Sequence, residues 1–302
     1  MDEHDWLTAW FELHRSHLRG VAYRMLGSVS EADDALQEAW LRIHDHDLAG
    51  VGNMQAWLTT VVGRVCLNML RSRRRRETSD DVHVPDPVVA LDGMTDPDRE
   101  VLIADSVGLA LQIVLDSLSP PERLAFVLHD VFGVPFAEIA RVLDRSDAAT
   151  QQLASRARRR VQGLREPDPD LARQRTVVDA FFAASRDGDF EDLLKILDPD
   201  VELRIDGGVL RKDSSLVLRG AQYVAAHTAK YSKWFPFVRP ALVNGAAGAI
   251  VATDRNLLSV MAFTVTNGKI VHIDALMDPD RLDRVTTWRS ALVGERDEPA
   301  AL

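Results

Sequence analysis

Two acidic stretches with prolines in them cut this chain into three pieces, and no helix or strand pattern runs across either. The first, residues 77–100, holds Asp80, Asp81, Asp86, Asp92, Asp96, Asp98 and Glu100 together with Pro85, Pro87 and Pro97. Proline lacks the amide donor that a helix or ladder needs, and it pushes the residue before it out of helical geometry. The second stretch, Glu166 to Asp170, sets two prolines among three acids. The pieces are therefore 1–76, 101–165 and 171–302, with 77–100 and 166–170 as linkers. A length of 302 residues suits two or three domains. With 46% hydrophobic and 27% charged residues, the chain is ordinary globular material. There is no internal repeat.

The single cysteine, Cys66, excludes an internal disulfide framework and a cysteine-based zinc finger, and it suits a reducing compartment. The N-terminus, MDEHDW, has no basic and then apolar leader, and no run nears the roughly 18 apolar residues of a membrane span. The expectation is a cytoplasmic chain with no membrane contact. The net charge of 36 − 46 = −10 argues against a protein that coats nucleic acid by charge alone. Positive charge is nonetheless concentrated in two knots, Arg71 with Arg73 to Arg76, and Arg156 with Arg158, Arg159, Arg160 and Arg165.

The first piece reads as all helix. Leu36, Ala39, Trp40 and Ile43 recur at helical spacing, as do Trp57, Val61, Val65 and Leu70. Asp33, Asp34, Gln37, Glu38 and Leu41 fall mostly on the opposite face of the first of these helices. Ser30 followed by Asp33 resembles a helix-start box. A longer helix is expected from Gln55 to Arg76. In the second piece, Ser119-Pro120-Pro121-Glu122 opens a helix, with prolines where a first turn tolerates them. Leu124, Val127, Leu128 and Val131 form its stripe, and Gly133 is its stop. A short helix, Pro135 to Leu143, then leads through Asp144-Arg145-Ser146 into a basic helix from Asp147 to about Gln162. That order is a helix-turn-helix pattern.

The third piece changes character. Helical patches at Val177 to Ser185 and Phe190 to Leu197 precede strand-like runs at 201–206, 237–243, 249–254, 257–266 and 270–276. One more helix is expected from Ala221 to Tyr231. Asn267-Gly268 is a hairpin signal between the last two strands. The expectation is an α+β fold with a curved antiparallel sheet.

The basic helix carries chemistry suited to duplex DNA. Gln151, Gln152, Arg156, Arg158 and Arg159 are of the types that read adenine and guanine edges in the major groove. Arg145, Ser146 and Ser155 suit phosphate contacts that set register. The alternative is a solvated basic face on a structural helix, and the preceding helix and turn count against it. The helix from Gln55 carries Trp57, Arg64 and Asn68 ahead of its arginine knot. A basic helix beside a polar loop can hold backbone and unstacked bases, or simply be a core helix with a solvated tail.

The run from Glu31 to Arg42 (EADDALQEAWLR), with 56–64 (AWLTTVVGR) and 67–71 (LNMLR), resembles region 2 of a bacterial sigma factor. Leu118 to Arg123 (LSPPER), Phe136 to Ala140 (FAEIA) and Ser155 to Arg158 (SRAR) resemble region 4. With no other sigma regions, the chain resembles the extracytoplasmic-function group over about residues 5–165. Gly63 departs from the pattern, since a larger residue is more usual there. The resemblance implies a transcription initiation factor with no cofactor and no metal. It implies that Asp33, Asp34, Gln37, Glu38 and Leu41 face the β′ clamp helices of core RNA polymerase, with further contact to the β subunit. The loop from His44 to Gln55 would capture a flipped base of the −10 element. Asn53, Trp57, Arg64, Asn68, Arg71, Arg73, Arg74 and Arg75 would hold the melted −10 strand. Arg145, Ser146, Gln151, Gln152, Ser155, Arg156, Arg158 and Arg159 would read the −35 element. The acidic linker would lie in a polymerase channel that otherwise takes nucleic acid.

The third piece resembles a SnoaL-like domain of the nuclear-transport-factor-like superfamily. Sigma factors that carry it form a subgroup with a DGGG-type and an NPDKL-type motif. The matches here are Asp206-Gly207-Gly208-Val209 and Asp278-Pro279-Asp280-Arg281-Leu282, with Val209 in place of a glycine and Asp278 in place of asparagine. The fold expected is therefore multidomain: a region 2 helical bundle and a region 4 helix-turn-helix, both all-α, then a SnoaL-like cone with a curved antiparallel sheet. The cone would regulate the sigma domains in cis. His227, Tyr231, Trp234, His272 and Asp274 are candidates for a pocket in the cone that takes a small-molecule ligand. His272 and Asp274 share one strand face by alternation, as a base with its orienting acid would.

Two rival functions remain on sequence grounds: a free-standing helix-turn-helix regulator, and a SnoaL-like enzyme or sensor with a DNA-binding appendage. The free protein is expected to be a monomer. Other motifs fail. His44-Asp45-His46-Asp47 has no distant cluster to complete a metal shell. Gly245-Ala246-Ala247-Gly248 lacks the Lys-Ser/Thr ending of a phosphate loop.

Overall fold

A computed structural model describes residues 3–43, 52–74, 82–91, 108–163, 167–208 and 215–285. The chain folds as two compact units. One comprises Met1–Ser79 with Leu111–Leu164, and the other Asp80–Ala110 with Arg165–Leu302. The described part of the acidic linker therefore belongs with the C-terminal piece.

The first unit is helical. Its elements are α1 (Glu3–Leu13), α2 (Arg15–Leu26), α3 (Val29–Ile43), α4 (Met54–Arg74), α5 (Gly108–Ser117), α6 (Pro120–Phe126), α7 (Phe136–Leu143) and α8 (Asp147–Val161). Helix α2 ends at Gly27, which takes a left-handed conformation and donates its N–H to the Tyr23 carbonyl at 2.7 Å. Helix α3 begins earlier than the sequence suggests. The Ser28 hydroxyl accepts from the Glu31 N–H at 3.4 Å, so the start is set by Ser28 rather than Ser30. Ala32, Ala35, Leu36, Ala39 and Ile43 are buried on α3. On α4 the core face runs through Leu58, Val62, Val65, Cys66, Leu67 and Leu70, leaving Trp57 and Val61 half-buried at its side.

Helix α6 starts where the sequence implies, and Ser119 and Glu122 close it with a capping box: Glu122 accepts from the Ser119 N–H at 3.1 Å and from its hydroxyl at 2.6 Å. Helix α6 then widens into a π-turn over Val127–Val131 and stops at Gly133. The two sigma-like pieces pack together inside this unit. Arg123 on α6 is 2% exposed, donates from Nε to the Arg24 carbonyl at 3.0 Å and pairs with Asp116. Gln112 donates to the Tyr23 and Arg24 carbonyls at 3.2 and 3.3 Å. Gly63 gives the physical reason for its departure from the family pattern. A Cβ there would stand 3.0 Å from Leu128 and 3.1 Å from Leu124, so α4 approaches α6 closely because it lacks a side chain.

The second unit is α+β. Its strands are β1 (Val89–Ala90), β2 (Leu197–Asp206), β3 (Leu216–Arg219), β4 (Val238–Val243), β5 (Ala246–Ala252), β6 (Leu257–Thr266) and β7 (Lys269–Leu276). Among the described residues they form one sheet in the order β1-β4-β5-β6-β7-β2-β3. The sheet is mixed, which corrects the expected antiparallel one: β2 runs parallel to β7, pairing Leu203 with Ile273 and Ile205 with Ala275. Strand β3 follows β2 directly and pairs with it antiparallel, but α11 (Ala221–Thr228) and the 3₁₀ segment then separate β3 from β4, and such a helical crossover lets β7 return parallel to β2. Helices α9 (Leu171–Asp187), α10 (Phe190–Ile196) and α11 (Ala221–Thr228), with a 3₁₀ segment over Ala229–Phe237, cover one face. Phe181, Phe182, Leu193, Leu203, Phe263 and Ile273 form the core beneath them. Asn267 and Gly268 both take positive φ, 53° and 73°, as a hairpin of their kind requires. The linker at 166–170 is fastened to that hairpin: the Asp168 carboxylate accepts from the Asn267 and Gly268 N–H groups at 2.9 and 3.0 Å.

Gly63→Leu will lower stability by about 1–3 kcal/mol through overpacking of the α4–α6 contact. Urea denaturation of the purified protein measures it.

Candidate polymerase and DNA interfaces and the linker latch

The polymerase-facing residues expected from the sequence stand together on α3. Asp33, Asp34, Gln37, Glu38 and Leu41 are all exposed, Leu41 at 61%. Leucine exposed to that degree on an acidic face suits a partner surface that is apolar and electropositive. Asp33 is held by Arg19 in a two-pronged ion pair at 2.7 and 2.8 Å, and Glu38 by Arg42 at 2.9 Å.

A groove between α3 and α4 is lined by Asp34, Glu38, Asn68 and Arg73 among others. Asn53, Arg64, Asn68 and Arg71 are exposed, and the Asn53 side chain accepts from the Ala56 N–H at the start of α4. Arg73 is committed to the fold. It donates to the Leu26 carbonyl at 3.2 Å and to Glu31 at 3.3 Å, which ties α4 to the end of α2. Arg74 closes α4, and Arg75, Arg76 and residues 44–51 lie outside the described residues.

In α8, Gln151, Gln152, Arg156 and Arg159 are exposed near one another on the helix, with Ser155 half-buried beside them. Arg145 is exposed in the turn. Ser146 is the helix cap, its hydroxyl accepting from the Ala149 N–H at 3.2 Å. Arg158 pairs with Asp130, which locks α8 against the π-turn. The short α7 and its left-handed Asp144 turn set α8 at an angle in the manner of a helix-turn-helix.

The second unit carries a latch. Residues 82–91, the described part of the linker, lie on its sheet. Val89 and Ala90 pair with Val243 and Leu242 as the edge strand β1. Asn244 doubles the hold: its N–H donates to the Val88 carbonyl at 2.8 Å and its side-chain oxygen accepts from the Val88 N–H at 3.0 Å. Asp206 and Arg281, one from each family-like motif, converge at the strap's start. The Asp206 carboxylate, 3% exposed, accepts from the Val84 N–H at 2.9 Å and from Arg281 Nη1 at 2.7 Å. Arg281 Nε reaches Asp86 at 2.6 Å, and its third nitrogen donates to the Val84 carbonyl. Asp278 caps the short α12 (Pro279–Leu282) by accepting from the Asp280 N–H at 3.0 Å. An asparagine side chain offers the same oxygen, so aspartate replaces it without loss of the cap. Leu282 is buried beneath that turn. Gly207 donates to the Ser215 hydroxyl at 3.0 Å, and Gly208 donates to Asp206 at 3.0 Å. Gly208 sits at φ 71°, and a Cβ there would fall 2.2 Å from the Asp278 carboxylate, so only glycine fits. Val209 lies outside the described residues.

Residues 10–76 match the Sigma-70 region 2 family, and residues 109–161 match Sigma-70, region 4. The "ECF RNA polymerase sigma factor SigJ" of Mycobacterium tuberculosis (strain ATCC 25618 / H37Rv) is 39% identical over 287 residues, covering 90% of this chain and 91% of that protein. The chain belongs to the ECF RNA polymerase sigma factors. A second relative, the "Probable ECF RNA polymerase sigma factor SigI" of Mycobacterium tuberculosis (strain CDC 1551 / Oshkosh), is 34% identical and covers 94% of this chain and 97% of its own length. The crystal structure of the Mycobacterium tuberculosis sigma factor SigJ superposes with a TM-score of 0.75 at 34% identity, covering 93% of this chain and 99% of that one. The likeness therefore runs through the C-terminal sheet as well as the helices.

As an ECF sigma factor, the protein is a transcription initiation factor and not an enzyme, and it binds core RNA polymerase and promoter DNA. The rival enzyme reading is set aside accordingly. No described helix is long and apolar enough to cross a membrane. The five candidate pocket residues separate. His227, Tyr231 and Trp234 line a cavity on the helix-covered side of the sheet, whereas His272 and Asp274 do not. Ile273, Ala275 and Met277 face the cavity, so alternation turns His272 and Asp274 to the other side. Asp274 lies there beside Arg204 and Glu202. Burial pushes its carboxyl up to about 7; Arg204 works against that rise and Glu202 adds to it. Glu202 itself stays below the usual carboxylate range: burial opposes its ionisation, but hydrogen bonds from Arg219 at 2.7 Å and Arg204 at 2.5 Å outweigh it.

The raised Asp274 value has a sign. Its neutral form is accommodated by the fold, so its contribution is intact at low pH and is lost as pH rises from about 4 towards 7. Asp274→Asn, which mimics the neutral form, will raise the urea midpoint at pH 8 and much less at pH 5.

Proposed function

We propose that the C-terminal unit of this sigma factor restrains initiation in cis by holding the linker between regions 2 and 4. The observation that carries the proposal is the capture of residues 84–90 by Asp206, Arg281, Asn244 and β4. In the family the linker occupies a polymerase channel. A linker paired into the sheet of its own regulatory unit is unavailable for that channel, so holoenzyme assembly has to open the latch. The held and released states are two discrete arrangements, the requirement for a switch.

The interfaces are assigned within the same proposal. Asp34, Gln37, Glu38 and Leu41 meet the β′ clamp helices. Asn53, Trp57, Arg64, Asn68 and Arg71 attend the melted −10 strand. Gln151, Gln152, Ser155, Arg156 and Arg159 read the −35 element. All but the half-buried Trp57 and Ser155 are exposed, on or beside α3, α4 and α8, and that supports these roles. Arg73, Ser146 and Arg158 act one step back: their bonds to Leu26, Ala149 and Asp130 position the helices that carry the contacting side chains.

Arg281→Ala tests the restraint. Removing one partner of a buried ion pair costs about 3–5 kcal/mol locally, which is enough to open the strap. In run-off transcription with limiting core polymerase, the variant will initiate more than wild type at equal concentration. A variant that folds, as its circular dichroism melt shows, and initiates no better than wild type contradicts the restraint.

A further inference from the structure

The strands that carry the latch also wall a cavity on their other face. Its volume is about 120 Å³. A cavity of roughly 150 Å³ accepts a benzene ring. Phe181, Phe182, Leu203, Ile205, Ile273 and Met277 are among its apolar walls, and among the described residues no carboxylate, ammonium or guanidinium lines it. Two of the polar atoms on its lining residues are buried without a described partner. Ser259 is 6% exposed, and its hydroxyl has no hydrogen-bonding partner among the described residues. The same holds for His227 Nε2. The hydroxyl of Thr228, by contrast, is spent on the Val224 carbonyl at 2.9 Å. Burial, helped by Lys230, holds the His227 imidazole below its usual pKa, so it presents no positive charge near neutral pH. Buried polar groups ordinarily have partners, and an apolar wall with a few convergent polar atoms is the make-up of a small-molecule site.

We propose that this cavity binds a small uncharged molecule of about one ring, with a single hydrogen-bonding group directed at Ser259 and His227, and that its occupancy works on the linker latch. The coupling follows from adjacency along two strands. Ile205 in the cavity wall immediately precedes Asp206 in the latch, and Met277 immediately precedes Asp278. The two segments are joined directly, since the Met277 N–H donates to the Asp206 carbonyl at 2.7 Å. A ligand that repacks Ile205 or Met277 therefore moves the backbone from which Asp206 and α12 hold the strap. Uncharged chemistry is inferred because a buried anion or cation would find no counter-charge among the described lining residues. The regulatory consequence rests on the restraint proposed above, but detection of the site does not.

The test uses the full-length protein with three probes, 4-fluorophenol, 4-fluorotoluene and 4-fluorobenzoate, followed by ¹⁹F NMR. The phenol will show saturable line broadening and the benzoate none. Ser259→Ala will weaken phenol binding about tenfold, the effect of one lost hydrogen bond, and leave 4-fluorotoluene unchanged. In parallel, hydrogen exchange at the Val84 and Val88 amides will change at least about fivefold on saturation with the phenol, the lower range of allosteric coupling. Absence of saturable phenol binding in the millimolar range, or benzoate binding as tight as the phenol, overturns the site. Binding that leaves the two amides unchanged overturns the coupling. Both readouts are independent of transcription, so their failure is distinct from failure of the Arg281→Ala run-off test.

Discussion

The buried pairing of Asp206 with Arg281 is the interaction on which the organisation of this sigma factor turns. Asp206 is almost wholly removed from water, and its charge is tolerable because Arg281 and the Val84 and Gly208 amides satisfy it. Arg281 spreads its three nitrogens over Asp206, Asp86 and the Val84 carbonyl, so a single guanidinium joins a strand end, a linker carboxylate and linker backbone. Planar, fixed donors make arginine suited to such a junction where lysine would not serve. Everything downstream follows from it: the linker lies flat, β1 forms, and the segment between the sigma regions becomes part of the regulatory unit. The linker's acidity serves the latch, because Asp86 is one of the residues Arg281 holds.

The helical unit depends on close backbone approach. Gly63 lets α4 meet α6, and Arg123 spans the junction by reaching the Arg24 carbonyl and Asp116. Regions 2 and 4 are thus one packed body in this structure rather than two beads on a string. The surfaces assigned to polymerase and DNA lie on α3, α4 and α8, while Arg73, Ser146 and Arg158 bond within the unit and position those helices.

Much of this was legible in the chain itself. The helix-turn-helix, the helix start at Ser119-Pro120-Pro121-Glu122, the Asn267-Gly268 hairpin and the acidic face of α3 follow from local chemistry, and local chemistry acts over a few residues. The misses are non-local. The parallel pairing of β2 with β7 depends on a crossover through α11 that periodicity does not report. The cap at Ser28 competes with a similar serine two residues on. His272 and Asp274 do share a strand face, but which face looks into the cone is decided by the packing of α9 against the sheet. The prolines of the strap forbid helix and so mark a linker, yet proline is tolerated at an edge strand's margin. Asn244-Gly245 carries the same hairpin signal as Asn267-Gly268 and takes positive φ at both residues, so the β4–β5 turn was there to be found.

The central claim, that the linker has to leave the C-terminal unit for initiation, is tested most directly by pinning it. Asn244 donates to Val88, so the next pair, Val89 with Val243, is the one whose side chains come closest across β1 and β4. Val89→Cys with Val243→Cys places a disulfide there, and Cys66 does not compete because it is buried and burial pushes its thiol far above the usual range. The measurement is run-off transcription by the double variant with core polymerase, oxidised and then reduced. The account predicts that the oxidised protein fails to initiate and that reduction restores initiation to the level of wild type. Equal initiation by the oxidised and reduced forms, with the disulfide confirmed by mass, would contradict it.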